Sequence, residues 1–161
     1  MYPAIAIAFE FVRKGIEDKN PVTQMKLQKL VYFAHGIHLA QYNSPLINEK
    51  FQAWEYGPVV PEIYASYKIY GSDPIVDTDH LFLFLSEGQK KELEKNSLSR
   101  DARSAIDLTW ETLKDIDAIT LSAWTHKDGS PWKLHYKNGT MPNEEIGEYF
   151  LQQFKSASVS K

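Results

Sequence analysis

The stretch QAWEYGPVVPEIY, residues 52–64, decides the fold of this chain, because it combines strand, turn and helix signals. Residues 51–56 alternate larger apolar side chains with polar or small ones, a pattern typical of a strand. Gly57 and Pro58 are expected to end that strand with a reversal. Pro61 then lies where the first turn of a helix tolerates proline. We therefore predict a small β element that leads directly into a helix.

Helical spacing dominates the rest of the chain. Thr23 and Asp117 are expected to cap two of the helices, because their side-chain oxygens can accept from free backbone N–H groups. The pattern predicts one compact domain over residues 1–155, mainly α-helical with a small β element (α+β), and a flexible tail over residues 156–161. The predicted helices cover residues 4–18, 24–41, 61–70, 86–96, 101–114, 117–125 and 143–154.

Composition and charge restrict the classes of function. The 161 residues include 18 basic and 21 acidic side chains, and the net charge of −3 disfavours non-specific binding to nucleic acid. The absence of cysteine excludes disulfides, thiolate metal sites and a cysteine nucleophile. No apolar run reaches the roughly 20 residues of a membrane span, and residues 4–9 lack the basic start of a signal peptide. We expect a cytoplasmic protein that does not contact the membrane.

The sequence contains none of the motifs that mark common active sites. It has no G-x-S-x-G elbow, no P-loop, no G-x-G-x-x-G and no H-E-x-x-H. His35 and His38 are three residues apart on a predicted helix and could face one metal ion, but surface or cap positions explain such a pair more often. We therefore expect no catalytic residue, no metal and no cofactor, and a hydrolase or metalloenzyme is the weakest alternative.

Two clusters of side chains allow more than one interpretation. Lys26 and Lys29 make part of the second helix positive, and a solvated helix face is expected there. Trp54 and Tyr56 would share one face of the strand, because side chains alternate along it. Core packing is the expected role of these aromatics, as of Trp124 and Trp132, and an exposed ridge that contacts a protein partner is the alternative.

Four segments together resemble one known family. Residues 25–34, MKLQKLVYFA, are similar to the K-L-Q-K-L-x-Y-x-A helix of the Panacea domain, the SocA-like antitoxin family that includes phage-associated GepA-like proteins. Residues 53–64 resemble its W-x-Y-G-P-V-x-P-x-x-Y signature, and residues 121–132 resemble its L-S-x-x-T-H…P-W segment. Residues 146–150 resemble its closing helix. The segments occur in the family's order and spacing across most of the chain.

The resemblance implies an antitoxin of a bacterial or phage toxin–antitoxin system. Such a protein neutralises a cognate toxin, encoded by the adjacent gene, through direct protein contact, and some members neutralise alarmone-synthetase-like toxins. The alternative is a proteolytic adaptor that delivers the toxin to a ClpXP-type protease, while an autorepressor that binds nucleic acid is disfavoured by the acidic balance. The residues expected to bind the partner or to form the core of the motifs are Lys26, Gln28, Lys29, Trp54, Tyr56, Pro58, Tyr64 and Trp132.

Overall fold

The computed structural model describes residues 1–83, 85–94 and 98–159. Its helices are α1 (Ala4–Glu17), α2 (Gln24–Tyr42), α3 (Pro61–Tyr67), α4 (Asp79–Phe82), α5 (Glu87–Glu94), α6 (Arg100–Leu113), α7 (Ala118–Thr125), α8 (Pro131–His135) and α9 (Asn143–Val159). Its strands are β1 (Phe51–Trp54), β2 (Gly57–Val59) and β3 (Thr140–Met141). The predicted fold class, mainly α with a small β element, is confirmed.

Helix α2 is the centre of the domain. It packs against α1, α6, α7 and α9, so that it is buried on several sides. Gly36 permits the close approach of α9, because a Cβ at this position would lie 2.3 Å from the ring of Phe150. The predicted caps also form: Thr23 accepts from the backbone N–H of Lys26, and Asp117 accepts from that of Thr120.

The three strands form one antiparallel sheet in the order β2-β1-β3. Trp54 pairs with Gly57, so Glu55 and Tyr56 form the turn of the β1–β2 hairpin. The prediction that Gly57 and Pro58 reverse the chain is therefore wrong, because both belong to the returning strand. Proline is tolerated there since β2 is an edge strand, where a ladder hydrogen bond is dispensable.

Three other elements differ from the sequence-based expectation. Helix α8 and strand β3 were not predicted, because neither is long enough to show a hydrophobic period. Helix α9 continues to Val159, so the described part of the predicted flexible tail, residues 156–159, is helical. The last residues of that tail, 160–161, and the end of the predicted helix 86–96, residues 95–96, lie outside the described residues.

Among the residues that the structure describes, no helix combines the length and the apolar character that crossing a bilayer requires.

Candidate functional site

Gln28 and Lys29 on α2 bind the backbone of strand β2 and of the residue that follows it. The amide of Gln28 donates to the carbonyl of Val60 at 3.1 Å and accepts from the N–H of the same residue at 3.0 Å. The ammonium of Lys29 donates to the carbonyl of Pro58 at 3.5 Å. Both side chains are buried, so the edge of β2 faces polar groups of α2 inside the protein.

Two further side chains bind the turn and the end of β1. The hydroxyl of Ser122 on α7 donates to the carbonyl of Tyr56. The indole N–H of Trp132 on α8 donates to the carbonyl of Trp54 at 2.7 Å. The Trp132 ring is buried and stacks on His126, with ring centres 3.7 Å apart. The expected core role of Trp132 is therefore confirmed.

The four bound carbonyls belong to alternate residues, at positions 54, 56, 58 and 60. They lie at the end of β1, in the turn, in β2 and just after it, so α2, α7 and α8 together hold the whole tip of the hairpin. The segments that resemble the family motifs thus meet in the structure. Gln28, Lys29, Ser122 and Trp132 from these segments bind the hairpin backbone.

On the solvent side of this hairpin lies an open depression of about 460 Å³, which we call the aromatic pocket. The rings of Trp54 and Tyr64 meet edge to face in it, with centres 5.4 Å apart. Tyr56 stands at its border with 65% of its surface exposed. The residues that line the aromatic pocket include Met25, Gln28, Lys29, Trp54, Glu55, Tyr56, Val59 and Tyr64.

The expectation that Trp54 and Tyr56 are core residues on one strand face is corrected by this geometry. Tyr56 lies in the turn and is exposed, whereas Trp54 is half-buried and donates to Gln52 at 2.9 Å. The expectation of core packing also fails for Trp124, which is 39% exposed beside Phe33 in a second apolar depression between α6, α7 and α9.

Lys29 is almost completely buried, with 1% of its surface exposed, and the predicted solvated helix face is wrong for this residue. Burial lowers the pKa of its ammonium group to about 7. Among the described residues no carboxylate forms an ion pair with it, and its hydrogen bond to Pro58 is long. Lys26, in contrast, does not line the aromatic pocket. Its ammonium group donates to the carbonyl of Lys114, just after α6.

Gly57 covers the Lys29 side chain. A Cβ at Gly57 would lie 2.5 Å from Cε and 3.0 Å from Nζ of Lys29. The φ angle of Gly57 is +123°, a conformation that other residues rarely adopt. The backbone angle therefore favours glycine at this position, and any other residue would also have to displace the end of the Lys29 side chain.

His35 and His38 are not surface or cap residues, because both are buried. Their ring nitrogens form hydrogen bonds with residues outside α2. Nδ1 of His35 accepts from the N–H of Leu46 at 3.2 Å, while its Nε2 lies 2.9 Å from the side-chain oxygen of Asn143. This arrangement needs the neutral ring, and burial lowers the pKa of His35 to about 4. Nδ1 of His38 lies 2.6 Å from the carbonyl of Ser44. No cluster of three potential His, Asp or Glu metal ligands occurs within residues 1–83, 85–94 and 98–159.

Comparison with known proteins identifies the family of this chain. The family model described as "Antitoxin SocA-like, Panacea domain" matches residues 27–133. The chain is also 30% identical over 155 residues to Antitoxin SocA of Caulobacter vibrioides (strain NA1000 / CB15N), with 89% of this chain and 75% of that protein covered. No solved structure matches this chain significantly. On these matches, the chain belongs to the SocA-like antitoxin family with a Panacea domain.

Proposed function

We propose that this protein is the antitoxin of a toxin–antitoxin pair, and that it neutralises a protein toxin encoded by the adjacent gene by binding it directly. Membership of the antitoxin family supports the role. The observation that supports direct binding is the aromatic pocket, where Trp54, Tyr56 and Tyr64 meet at the surface. Aromatic side chains around a depression are the residues that most often contribute strongly to protein–protein binding.

The rigid support of the aromatic pocket favours tight binding. The hairpin that presents Trp54 and Tyr56 is bound by side chains from α2, α7 and α8. Ordering a loop on association costs free energy, and a surface that is already ordered avoids part of that cost. A stable complex buries roughly 1,200–2,000 Å² in total, so the aromatic pocket would form the centre of a larger contact.

The proposed partner is a protein toxin. The predicted class of that toxin is alarmone-synthetase-like. We propose that the two proteins meet in the cytoplasm. Binding alone is sufficient for neutralisation, so the proposal assigns no catalytic residue and no cofactor. Covering the active site of the toxin, or locking it in an inactive conformation, requires one antitoxin for each toxin.

Co-expression of the adjacent gene with and without this chain tests the proposal. We expect growth rescue, an intact toxin and co-purification of the two proteins in equal amounts. Tyr56→Ala should weaken the complex at least tenfold, because it removes an exposed aromatic side chain from the border of the aromatic pocket. Trp124→Ala, which changes an exposed aromatic in the other depression, is the matched control and should bind normally.

Each contrary result has a definite meaning. If Trp124→Ala abolishes binding and Tyr56→Ala does not, the contact surface lies in the depression between α6, α7 and α9. If rescue requires a cellular protease and the toxin disappears, the protein is a proteolytic adaptor. If there is neither rescue nor co-purification, the antitoxin proposal is wrong.

A further inference from the structure

The aromatic pocket carries an exposed acidic group, the carboxylate of Glu55. Glu55 lies in the hairpin turn between Trp54 and Tyr56, and it lines the pocket together with them. It is exposed, and it forms no ion pair within the residues that the structure describes. Among the described residues that line the pocket, Glu55 is the only one with a carboxylate side chain.

Lys29, the only basic residue among the described residues that line the pocket, does not cancel this charge at the surface. It is almost completely buried, and its ammonium group binds the carbonyl of Pro58 beneath Gly57. Neither Pro58 nor Gly57 lines the pocket, so this ammonium group lies on the inner side of the hairpin. A partner that approaches from solvent therefore meets the Glu55 carboxylate and the aromatic rings.

A partner that covers the rings must also cover this carboxylate. The hairpin turn consists of only two residues, Glu55 and Tyr56, and both are exposed. A contact that buries Tyr56 and Trp54 therefore removes water from Glu55 as well. A carboxylate that loses its water without gaining a partner opposes binding, because buried charges are tolerated only when they are paired. The partner must then supply a positive charge at this point.

The aromatic rings of the pocket favour the same kind of group. The faces of Trp and Tyr rings attract cations, and Trp attracts them most strongly. Trp54 and Tyr64 meet with their ring planes at 67°, and Tyr56 stands exposed at the border. The carbonyl of Gly71 also lines the pocket; it accepts from Gln24 at 3.0 Å, and a carbonyl has two lone pairs. The pocket thus combines aromatic rings with hydrogen-bond acceptors.

We propose that the aromatic pocket receives an arginine side chain of the protein partner, whose guanidinium group pairs with the Glu55 carboxylate and packs on the aromatic rings. Arginine suits this site better than lysine, because a guanidinium group is planar and weakly hydrated, and it donates in its plane while its face lies on a ring. This inference rests on the proposed function, because it specifies the chemistry of the partner at the same surface. It predicts an exposed arginine with apolar neighbours on the toxin.

The test is calorimetric titration of this protein with the purified product of the adjacent gene. Glu55→Gln keeps the shape of the side chain without its charge, and it should weaken binding about tenfold in dilute salt. The loss should shrink as the salt concentration rises, because salt screens the ion pair. Glu62→Gln is the matched control and should bind normally, because Glu62 is also exposed but does not line the pocket. Both variants should melt like the wild type.

A second arm identifies the arginine on the partner. Arg→Gln substitutions on the partner should include one that weakens binding of the wild-type protein at least as much as Glu55→Gln does. Against that substituted partner, Glu55→Gln should cost nothing further. If a Lys→Gln substitution shows this coupling instead, or no basic residue does, the inference is wrong. It is also wrong if Glu55→Gln binds like the wild type, while the proposed function then stands. If the wild type itself does not bind, both are wrong.

A third arm separates a partner side chain from a small free cation. The indole N–H signal of Trp54 is followed by NMR while free arginine, and separately tetramethylammonium, is added to the protein. We expect no saturable change at low millimolar concentration, because a free cation lacks the surrounding contacts of a protein surface. Saturable binding in that range that Glu55→Gln abolishes would make the pocket a site for a small cation and overturn the inference.

Discussion

Gln28 and Val60 form two hydrogen bonds with each other, so the side-chain amide of a helix supplies what a neighbouring strand would supply. Gln28 accepts from the Val60 N–H at 3.0 Å and donates to the Val60 carbonyl at 3.1 Å. Both residues are buried. The pair therefore fixes the point at which the hairpin passes into α3.

Gln28→Met should lower the free energy of unfolding by about 1–3 kcal/mol, because it leaves the buried N–H of Val60 without a partner, whereas the Val60 carbonyl still accepts from the N–H groups of Ile63 and Tyr64. Chemical denaturation of the purified variant measures this loss. Gln24→Met is the control, since the amide of Gln24 binds the carbonyl of Gly71 in an exposed position. That control should change the stability by less than about 0.5 kcal/mol. Equal losses in the two variants would contradict the importance of the Val60 pair.

Gly57→Ala should be much more destabilising than Gly129→Ala. Both glycines have positive φ angles, +123° and +79°, so both substitutions strain the backbone. A Cβ at Gly129 would meet nothing within 4 Å, whereas at Gly57 it would lie 2.5 Å from Cε of Lys29. We expect about 1 kcal/mol for Gly129→Ala and about 3 kcal/mol or more for Gly57→Ala. Thermal melting of both variants compares them, and similar losses would show that Lys29 moves aside easily.

Lys29→Met should stabilise the isolated protein. Burial places the pKa of Lys29 at about 7, below its ordinary value of 10.5, so the charged group is a cost to the fold near neutral pH. Replacing an unfavourable buried charge with an apolar side chain of similar size can stabilise a protein by about 1–4 kcal/mol. The unfolded chain binds more protons than the native one between these two pKa values, so the wild-type stability should rise from pH 7 to about 10.

Chemical denaturation at several pH values tests both statements. The variant should be more stable than the wild type at pH 7, and the difference should shrink as the pH increases. A variant that is less stable than the wild type at every pH would show that the bond from Lys29 to Pro58 contributes more than its burial costs.

His35 should make the protein sensitive to acid. Its pKa in the folded protein is about 4, below the ordinary value of 6.5, because the ring is buried. The unfolded chain therefore binds an extra proton between pH 6.5 and 4, and this contribution to stability is present above pH 6.5 and is lost as the pH falls. The loss amounts to about 3 kcal/mol.

His35→Gln provides the comparison for this prediction, because glutamine is polar but does not titrate. The variant should be less stable than the wild type at pH 7, since it changes the hydrogen bonds to Leu46 and Asn143. The difference should decrease as the pH is lowered from 6.5 to 4. Parallel stability curves for the two proteins would exclude His35 as the source of the acid sensitivity.

Local sequence signals were sufficient for most helices and their caps. Thr23 and Asp117 were identified as caps because an N-cap depends on residues that are adjacent in sequence. Reliance on adjacent residues also explains why the hairpin turn was misplaced. Gly-Pro is a common turn dipeptide. The neighbouring residues do not show that Gly57 instead lies in a strand, with a positive φ angle, against the side chain of Lys29.

The burial of polar residues could not be predicted in this way. Lys29 and His35 are covered by elements distant in sequence, Lys29 by the hairpin and His35 by residues near Leu46 and Asn143. A helical period identifies the apolar side of a helix but not a helix that is enclosed on several sides. The consecutive buried residues of α2, from Leu27 to Tyr32, show that this helix is enclosed.

The hairpin is attached to the helices through its main chain, at the carbonyls of alternate residues, and this has a consequence for how recognition could diverge. Every peptide unit has a carbonyl, so the attachment does not depend on which side chains the turn carries. Glu55 and Tyr56 are exposed, and replacing them would leave all four hydrogen bonds in place. Selection can therefore alter these two residues to follow a changing partner while the scaffold is preserved, much as antibody frameworks tolerate variation in their loops.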